Sequence, residues 1–124
     1  MSHLVTVDCK IDSIEALSEA LVEMGYEPVR NATISSRYWN DKKVDLGIRK
    51  DGKTITIGWV NDGNDTYDLI ADWFCTGINQ GEFVEAVNVG HTKHKTSSWM
   101  KKNGYSVKYE TNTDGNLVVV GTRW

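Results

Sequence analysis

The sequence lacks the features that mark several large protein classes. It has one proline and no low-complexity tract, so a disordered or linker-rich chain is not expected. No apolar run approaches the ~18 residues of a membrane-spanning helix, and the N-terminus lacks the charged-then-apolar layout of a signal peptide. Cys9 and Cys75 form no metal-ligand spacing, so both are expected to be buried in a reducing compartment. A cytoplasmic location is therefore expected.

A strong excess of one charge is also missing. The chain has 14 basic and 17 acidic residues, a net charge of −3 and a pI of about 5.5. This balance argues against an extended nucleic-acid-binding surface or a membrane-binding surface. Tryptophan is plentiful, with five among 124 residues, which is a heavy aromatic load. The length suits one domain, and residues 1–124 are expected to fold as one unit.

Hydrophobic periodicity predicts the order strand, helix, several strands, helix, two strands. Pro28 cannot donate to a strand ladder, which places its strand at a sheet edge. Loops are predicted at 35–42 and 61–66. The fold class that follows is α+β, with a largely antiparallel sheet of six to seven strands and two helices packed on it. The predicted elements are strand 3–11, a helix capped by Asp12 or Ser13 and ending near Gly25, strands 28–34, 44–49, 54–60 and 67–74, helix 80–104, and strands 105–111 and 116–124.

The helix predicted at 80–104 changes character halfway along. Its first half is apolar at Phe83, Val84 and Val87, as is usual for a helix that packs on a core. Residues three and four apart on a helix are neighbours, so the polar groups that follow are expected to converge. These small, imidazole-bearing, hydroxylic and basic residues are Gly90, His91, His94, Ser97, Ser98 and Lys101.

Several interpretations of these groups stay open. Either His94 is a core histidine bonded to a backbone carbonyl and His91 is solvated, or both hold an anionic group. The run of four lysines forms either a solvated helix face or, with the two histidines, a local positive field that attracts phosphate. These lysines are Lys93, Lys95, Lys101 and Lys102. A zinc ion shared by the two histidines and an aspartate of strand 67–74 is a third interpretation, but no strong metal-binding spacing supports it.

The opposite side of the same helix carries apolar residues. Val89, Trp99 and Met100 lie away from Phe83 and Val87, and an exposed Trp–Met patch is typical of a protein interface. The alternative is that a loop or the C-terminus folds over it. If the patch is an interface, a homodimer is the first expectation, and a higher homo-oligomer is the other.

Short motifs occur in a characteristic order along the whole chain. They are Met1-Ser2-His3, Ile57-Gly58-Trp59, residues 67–73, His94, Asn103-Gly104-Tyr105, Asp114-Gly115 and Arg123-Trp124. This series resembles the plastid and cyanobacterial conserved-reading-frame family called hypothetical chloroplast frame thirty-five, and relatives are also expected in phage genomes. Family members usually carry Tyr-Ala-Tyr-His in the second helix; here residues 91–94 keep the histidine and replace both tyrosines. The family is uncharacterised, so the resemblance implies a fold and no reaction.

The sequence favours a binding protein over an enzyme. The first hypothesis is a non-catalytic module that holds a small anionic, nucleotide-like ligand. In a phage, such a module would act as a sequestering protein. The alternative is a protein–protein adaptor that uses the Trp99 and Met100 face, and a metal-assisted hydrolase comes third. No catalytic residue, resident metal or cofactor is assigned. The predicted ligand-binding residues are His91, His94, Ser97, Ser98, Lys101, Arg123 and Trp124.

Overall fold

The computed structural model describes residues 5–36, 39–115 and 117–123, excluding the side chains of residues 5–10, 39, 40 and 117. The α+β class is confirmed. In chain order the elements are β1 (Val5–Ile11), α1 (Ile14–Glu23), β2 (Glu27–Ser36), β3 (Trp39–Lys50), β4 (Lys53–Asn61), β5 (Tyr67–Ala71), α2 (Trp73–Thr76), α3 (Gln80–Lys102), β6 (Tyr105–Thr111) and β7 (Leu117–Arg123).

The strands divide into two antiparallel sheets. β2 to β5 form a meander, β1 pairs with β5, and the resulting sheet has the order β1-β5-β4-β3-β2. β6 and β7 form a separate hairpin, so the expected single sheet of six to seven strands is instead one of five and one of two. β2 lies at a sheet edge, as Pro28 predicts. Because β1 and β2 lie at opposite edges, α1 carries the chain across the sheet.

Capping residues set the ends of the two long helices. Ser13 is the N-cap of α1, and its hydroxyl accepts a hydrogen bond from the backbone N–H of Ala16. Asn79 caps α3 in the same way by accepting from the N–H of Glu82. Gly25 and Gly104 follow the helices with φ values of 91° and 82°, the left-handed conformation that glycine adopts at little cost. The predicted second long helix is therefore present, and it runs from Gln80 to Lys102, two residues shorter than predicted.

The main core lies between α1, α3 and one face of the five-stranded sheet. Trp59 of β4 is completely buried there, and its ring lies 6.2 Å from that of Phe83 on α3. Val87 is buried one turn later, so the first half of α3 packs as its apolar pattern predicts. The buried residues of this core are Ile11, Ile14, Leu17, Leu21, Leu46, Ile48, Ile57, Trp59, Leu69, Ala71, Phe83 and Val87.

A second, smaller buried cluster joins side chains of β2, β3 and β5. Its buried members are Ile34, Val44 and Ile70. Gly58 permits the close approach of Val44, since a Cβ on it would lie 2.6 Å from Val44 Cγ1. The predicted loop 35–42 is mostly strand, because β2 continues to Ser36 and β3 begins at Trp39.

The strand predicted at 67–74 ends early. β5 stops at Ala71, Asp72 is completely buried, and Trp73 begins the short helix α2. Trp73 leaves the strand alternation because its ring packs edge-on against Phe83, with the centroids 5.7 Å apart. Cys75 lies exposed on α2, so its expected burial is wrong. The side chain of Cys9 lies outside the described residues.

Candidate functional site

The polar half of α3 packs against α1 and the β6–β7 hairpin rather than against the five-stranded sheet. A Cβ on Gly90 would lie 2.6 Å from Ala20 Cβ and 3.4 Å from Ala20 Cα. A side chain at position 90 would therefore push the two helices apart. Gly90 therefore allows the close approach of the neighbouring helix.

His91 is held at the start of α1. The side chain is buried, and its Nε2 accepts a hydrogen bond from the backbone N–H of Ser13 at 3.2 Å. Burial lowers the pKa of His91, an effect that the nearby Asp12 carboxylate opposes and Lys95 reinforces. The neutral imidazole is thereby favoured, in agreement with the acceptor role of Nε2. His91 thus satisfies a donor at the N-terminus of α1 and is not solvated.

His94 lies between two carboxylates of α1. Its Nδ1 is 2.9 Å from Glu19 Oε2, and its Nε2 is 2.5 Å from Glu23 Oε1. Glu19 and Glu23 are one helical turn apart, so both reach the same imidazole. Both ring nitrogens therefore face side-chain carboxylates of α1, not the backbone carbonyl that one interpretation expected.

Two lysines of α3 are also paired with carboxylates. Lys93 Nζ donates to both oxygens of Glu23 at 3.2 and 3.1 Å, and Lys95 Nζ pairs with Asp12. Burial raises the pKa of Glu23, but the hydrogen bond from Lys93 and the charge of His94 outweigh it, so the net pKa is lowered. The pKa of Asp12 is lowered chiefly by the hydrogen bond from Lys95. These pairs offset much of the expected local positive field.

The remaining predicted ligand-binding residues lie in different surroundings. Ser97 is buried, and a 2.6 Å hydrogen bond joins its hydroxyl to the hydroxyl of Tyr109 on β6. Ser98 and Lys101 are exposed on α3. Arg123 lies with its guanidinium carbon 5.7 Å from the ring centroid of Tyr105. The predicted set is therefore divided among α1, β6 and solvent, and Trp124 lies outside the described residues.

A surface groove of about 430 Å³ opens beside Trp99. Its lining combines the buried imidazole of His91 with hydroxyl groups and the Lys95–Asp12 pair. Sequence reasoning did not name its threonines, although Thr92 lies three residues before Lys95 and Thr96 lies three residues before Trp99 on one helix. The lining residues are Asp12, His91, Thr92, Lys95, Thr96 and Trp99.

The predicted interface residues do not share one face. Trp99 is 60% exposed, and its ring stacks on that of Tyr105 at 6.2 Å. Val89 is also exposed. Met100 instead packs against β7, where its Sδ lies 2.9 Å from the position of a Cβ on Gly121. Adjacent helical residues differ in direction by about 100° because a turn has about 3.6 residues, which explains how Trp99 and Met100 separate.

Exposed residues of α3 form a continuous line, here called the outer seam. It has Trp99 near one end and, near the other, a second groove of about 410 Å³ lined in part by Gly81, Val84 and Glu85. All members of the seam are exposed. The outer seam consists of Gly81, Glu85, Asn88, Thr92, Lys95, Trp99 and Lys102.

The histidine, cysteine and acidic side chains of the described residues do not form a metal-binding cluster. No group of three or more that could hold an ion occurs in the parts of the chain that the structure describes. His91 and His94 face Ser13 and the α1 glutamates. Asp72 instead accepts a hydrogen bond from Ser36.

Across residues 5–36, 39–115 and 117–123, no helix is both long and apolar enough to cross a membrane.

Comparison with known proteins places the chain in a family. No curated protein and no solved structure matches the chain. A family model described as "Protein of unknown function (DUF1257)" matches residues 20–120, a span that includes all of α3. Because this match covers most of its length, the chain belongs to the DUF1257 family.

Proposed function

We propose that this chain is a non-catalytic, cytoplasmic interaction module that binds a protein partner through the outer seam of α3. The observation that carries this proposal is the 60% exposure of Trp99 on the regular helix α3. Large aromatic residues at such positions are typical anchors of protein interfaces. Thr92 and Lys95, also exposed, extend the surface from Trp99 towards the first half of the helix.

The energy available at Trp99 is sufficient for an anchor. Covering the 60% of the side chain that is exposed would stabilise a complex by about 2–4 kcal/mol, at ~25 cal/mol per Å² for an indole of about 150–250 Å². A gain of this size is typical of an interface hot spot. The exposed Val89 adds apolar area on the neighbouring side of the helix.

The negative charges beside His94 disfavour an anionic ligand there, which favours a protein partner as the binding target. His94 lies between Glu19 and Glu23, and Lys93 pairs with Glu23. An anion at His94 would have to displace these carboxylates and would meet their negative charge. The α1–α3 network is therefore better suited to holding the helices together than to holding a phosphate.

The proposal is tested by affinity capture with matched variants. Immobilised wild-type chain and Phe74→Ser are expected to retain the same specific partner, whereas Trp99→Ser is expected to lose it. Phe74 is the control because it is an aromatic residue, 72% exposed, that lies on α2 and outside the seam. Undiminished retention by folded Trp99→Ser would refute the proposal.

A second candidate function is favoured by the groove beside Trp99. A nucleotide-like ligand could stack its ring on Trp99 and place its phosphate near Lys95 and the hydroxyls of Thr92 and Thr96. Asp12 would have to release Lys95 for this to occur. In a phage setting such a module would sequester a signalling nucleotide.

Thermal-shift screening against nucleotides and phosphorylated metabolites tests this candidate. At least one compound should raise the melting temperature of the wild-type chain, and Lys95→Ala should abolish that increase. A screen in which no compound raises the melting temperature would exclude it, as would an affinity unchanged by Lys95→Ala.

We also propose that the DUF1257 family includes the plastid and cyanobacterial frame that the sequence resembles. Most of the shared motifs, including Ile57-Gly58-Trp59 and His94, fall inside the matched span of residues 20–120. An alignment of family members with that frame tests this proposal, since unrelated sequences would not align these motifs in order.

A further inference from the structure

The outer seam has the spacing by which helices pair with one another. Its positions alternate steps of four and three residues along the 23-residue helix α3, as in the contact line of a coiled coil. The buried residues of α3, Phe83, Val87, His91 and Ser97, lie on other sides of the helix. The seam therefore lies on a side of α3 that none of these buried residues occupies, and each of its members is exposed.

Charges along α3 differ between its two halves. Glu82 and Glu85 lie in the first half, whereas Lys95 and Lys102 lie in the second, all four of them exposed. A parallel pair of such helices would place like charges next to each other. An antiparallel pair would place the acidic half of each helix beside the basic half of its partner, which is favourable.

The two halves also differ in shape. At the first half, the groove beside Gly81 is lined by Val84 and Glu85, and a Cβ on Gly81 would have Asn79 Oδ1, at 3.5 Å, as its nearest described neighbour. At the second half, the indole of Trp99 projects from the surface. Gly81 and Trp99 are equally distant from Gly90 in the sequence, so a two-fold axis near that residue would bring them together.

We propose that two copies of the chain pair in antiparallel fashion through their outer seams, with Trp99 of each copy in the groove beside Gly81 of the other. This inference rests on the proposed function and names the partner as a second copy. Lys95 of one copy then faces Glu85 of the other. Because the interface is symmetric, each contact occurs twice and its contribution to association is doubled.

Sedimentation of the full chain over a range of concentrations tests the shape of the interface. The wild-type chain should form dimers. Gly81→Leu fills the groove and Trp99→Ser removes the indole, so each should weaken dimerisation by at least about tenfold, the factor that corresponds to about 1.4 kcal/mol. Ser98→Leu is the matched control, since it introduces the same side chain at an exposed position of α3 outside the seam, and it should leave dimerisation unchanged.

Charge reversal tests the direction of pairing. Glu85→Lys and Lys95→Glu should each weaken the dimer, and the double variant should restore it because the facing charges are opposite again. Lys95 also pairs with Asp12 inside the chain, and that pair is lost equally in Lys95→Glu and in the double variant. Restored dimerisation in the double variant therefore reports the contact between copies.

Three results would overturn the inference. These are a wild-type chain that stays monomeric at every concentration, a dimer unaffected by both Gly81→Leu and Trp99→Ser, and a double charge reversal that dimerises no better than Lys95→Glu. A monomer that still captures a different protein in a Trp99-dependent way refutes only the pairing of copies. A monomer that captures nothing through Trp99 refutes the proposed function as well.

Discussion

Replacing Gly90 by alanine probes the contact between α1 and α3. The new methyl group would lie 2.6 Å from Ala20 Cβ, closer than two non-bonded carbon atoms can approach. Ala20 Cα, at 3.4 Å, is a backbone atom, so the clash cannot be removed by moving a side chain alone. Overpacking of this kind costs about 1–3 kcal/mol. Alanine in place of glycine favours the helix by about 1 kcal/mol. The net expectation is a loss of up to about 2 kcal/mol in the free energy of unfolding.

Gly81→Ala is the matched control for this substitution. Position 81 is on the same helix, and a Cβ there meets its nearest described neighbour at 3.5 Å, an ordinary contact. Chemical denaturation of both variants, with Gly90→Ala/Ala20→Gly as a partial rescue, isolates the clash. A Gly90→Ala protein as stable as Gly81→Ala, or a double variant that shows no favourable coupling, would contradict the close contact between the helices.

Further predictions concern the surroundings of α3. Burial lowers the pKa of His91, so the stability that the neutral imidazole contributes is fully present above its usual pKa of about 6.5 and is lost as the pH falls through the lower pKa of the folded state. His91→Gln should therefore make the urea midpoint less dependent on pH in this range. An equal pH dependence in both proteins would refute the assignment. Ser97→Ala and Tyr109→Phe should each cost about 1 kcal/mol, with the double variant costing less than their sum because one hydrogen bond joins them; full additivity would refute that bond. Denaturation of the whole chain should be a single transition by circular dichroism and by tryptophan fluorescence, as expected for one domain, and two separate transitions would refute this.

Much of the fold follows from local patterns in the sequence. The alternation of Val44 to Ile48 and the turn at Asp51-Gly52 locate the β3–β4 hairpin, because strand period and turn chemistry agree. Alternation defines the two faces of a strand but does not identify the partner of that strand. For this reason the separation of β6 and β7 into their own sheet could not be predicted.

Two misassigned segments have a similar cause. Trp73 and Phe74 continue the alternation of β5, but Trp73 packs on Phe83 and the chain turns into α2 instead. The polar residues near Ser36 suggest a loop, yet its hydroxyl donates a hydrogen bond to the buried Asp72. In both cases the deciding partner is distant in the sequence.

The candidate site was only partly predictable for the same reason. Helical spacing correctly places His91 and His94 on neighbouring turns, but it does not identify what they contact. The carboxylates that face His94 belong to Glu19 and Glu23, which lie on a different helix. Trp99 is exposed as its pattern indicates, whereas Met100 packs against β7.

Site-specific photo-crosslinking inside cells tests the central claim most directly. A benzoylphenylalanine at Thr92 would lie in the middle of the outer seam, and the same group at Ser98 would lie on the same helix but outside the seam, both positions being exposed. The account predicts covalent adducts from position 92 and few from position 98. Adducts of equal abundance from both positions, or adducts from position 98 alone, would contradict the proposal that this protein binds its partner through the outer seam.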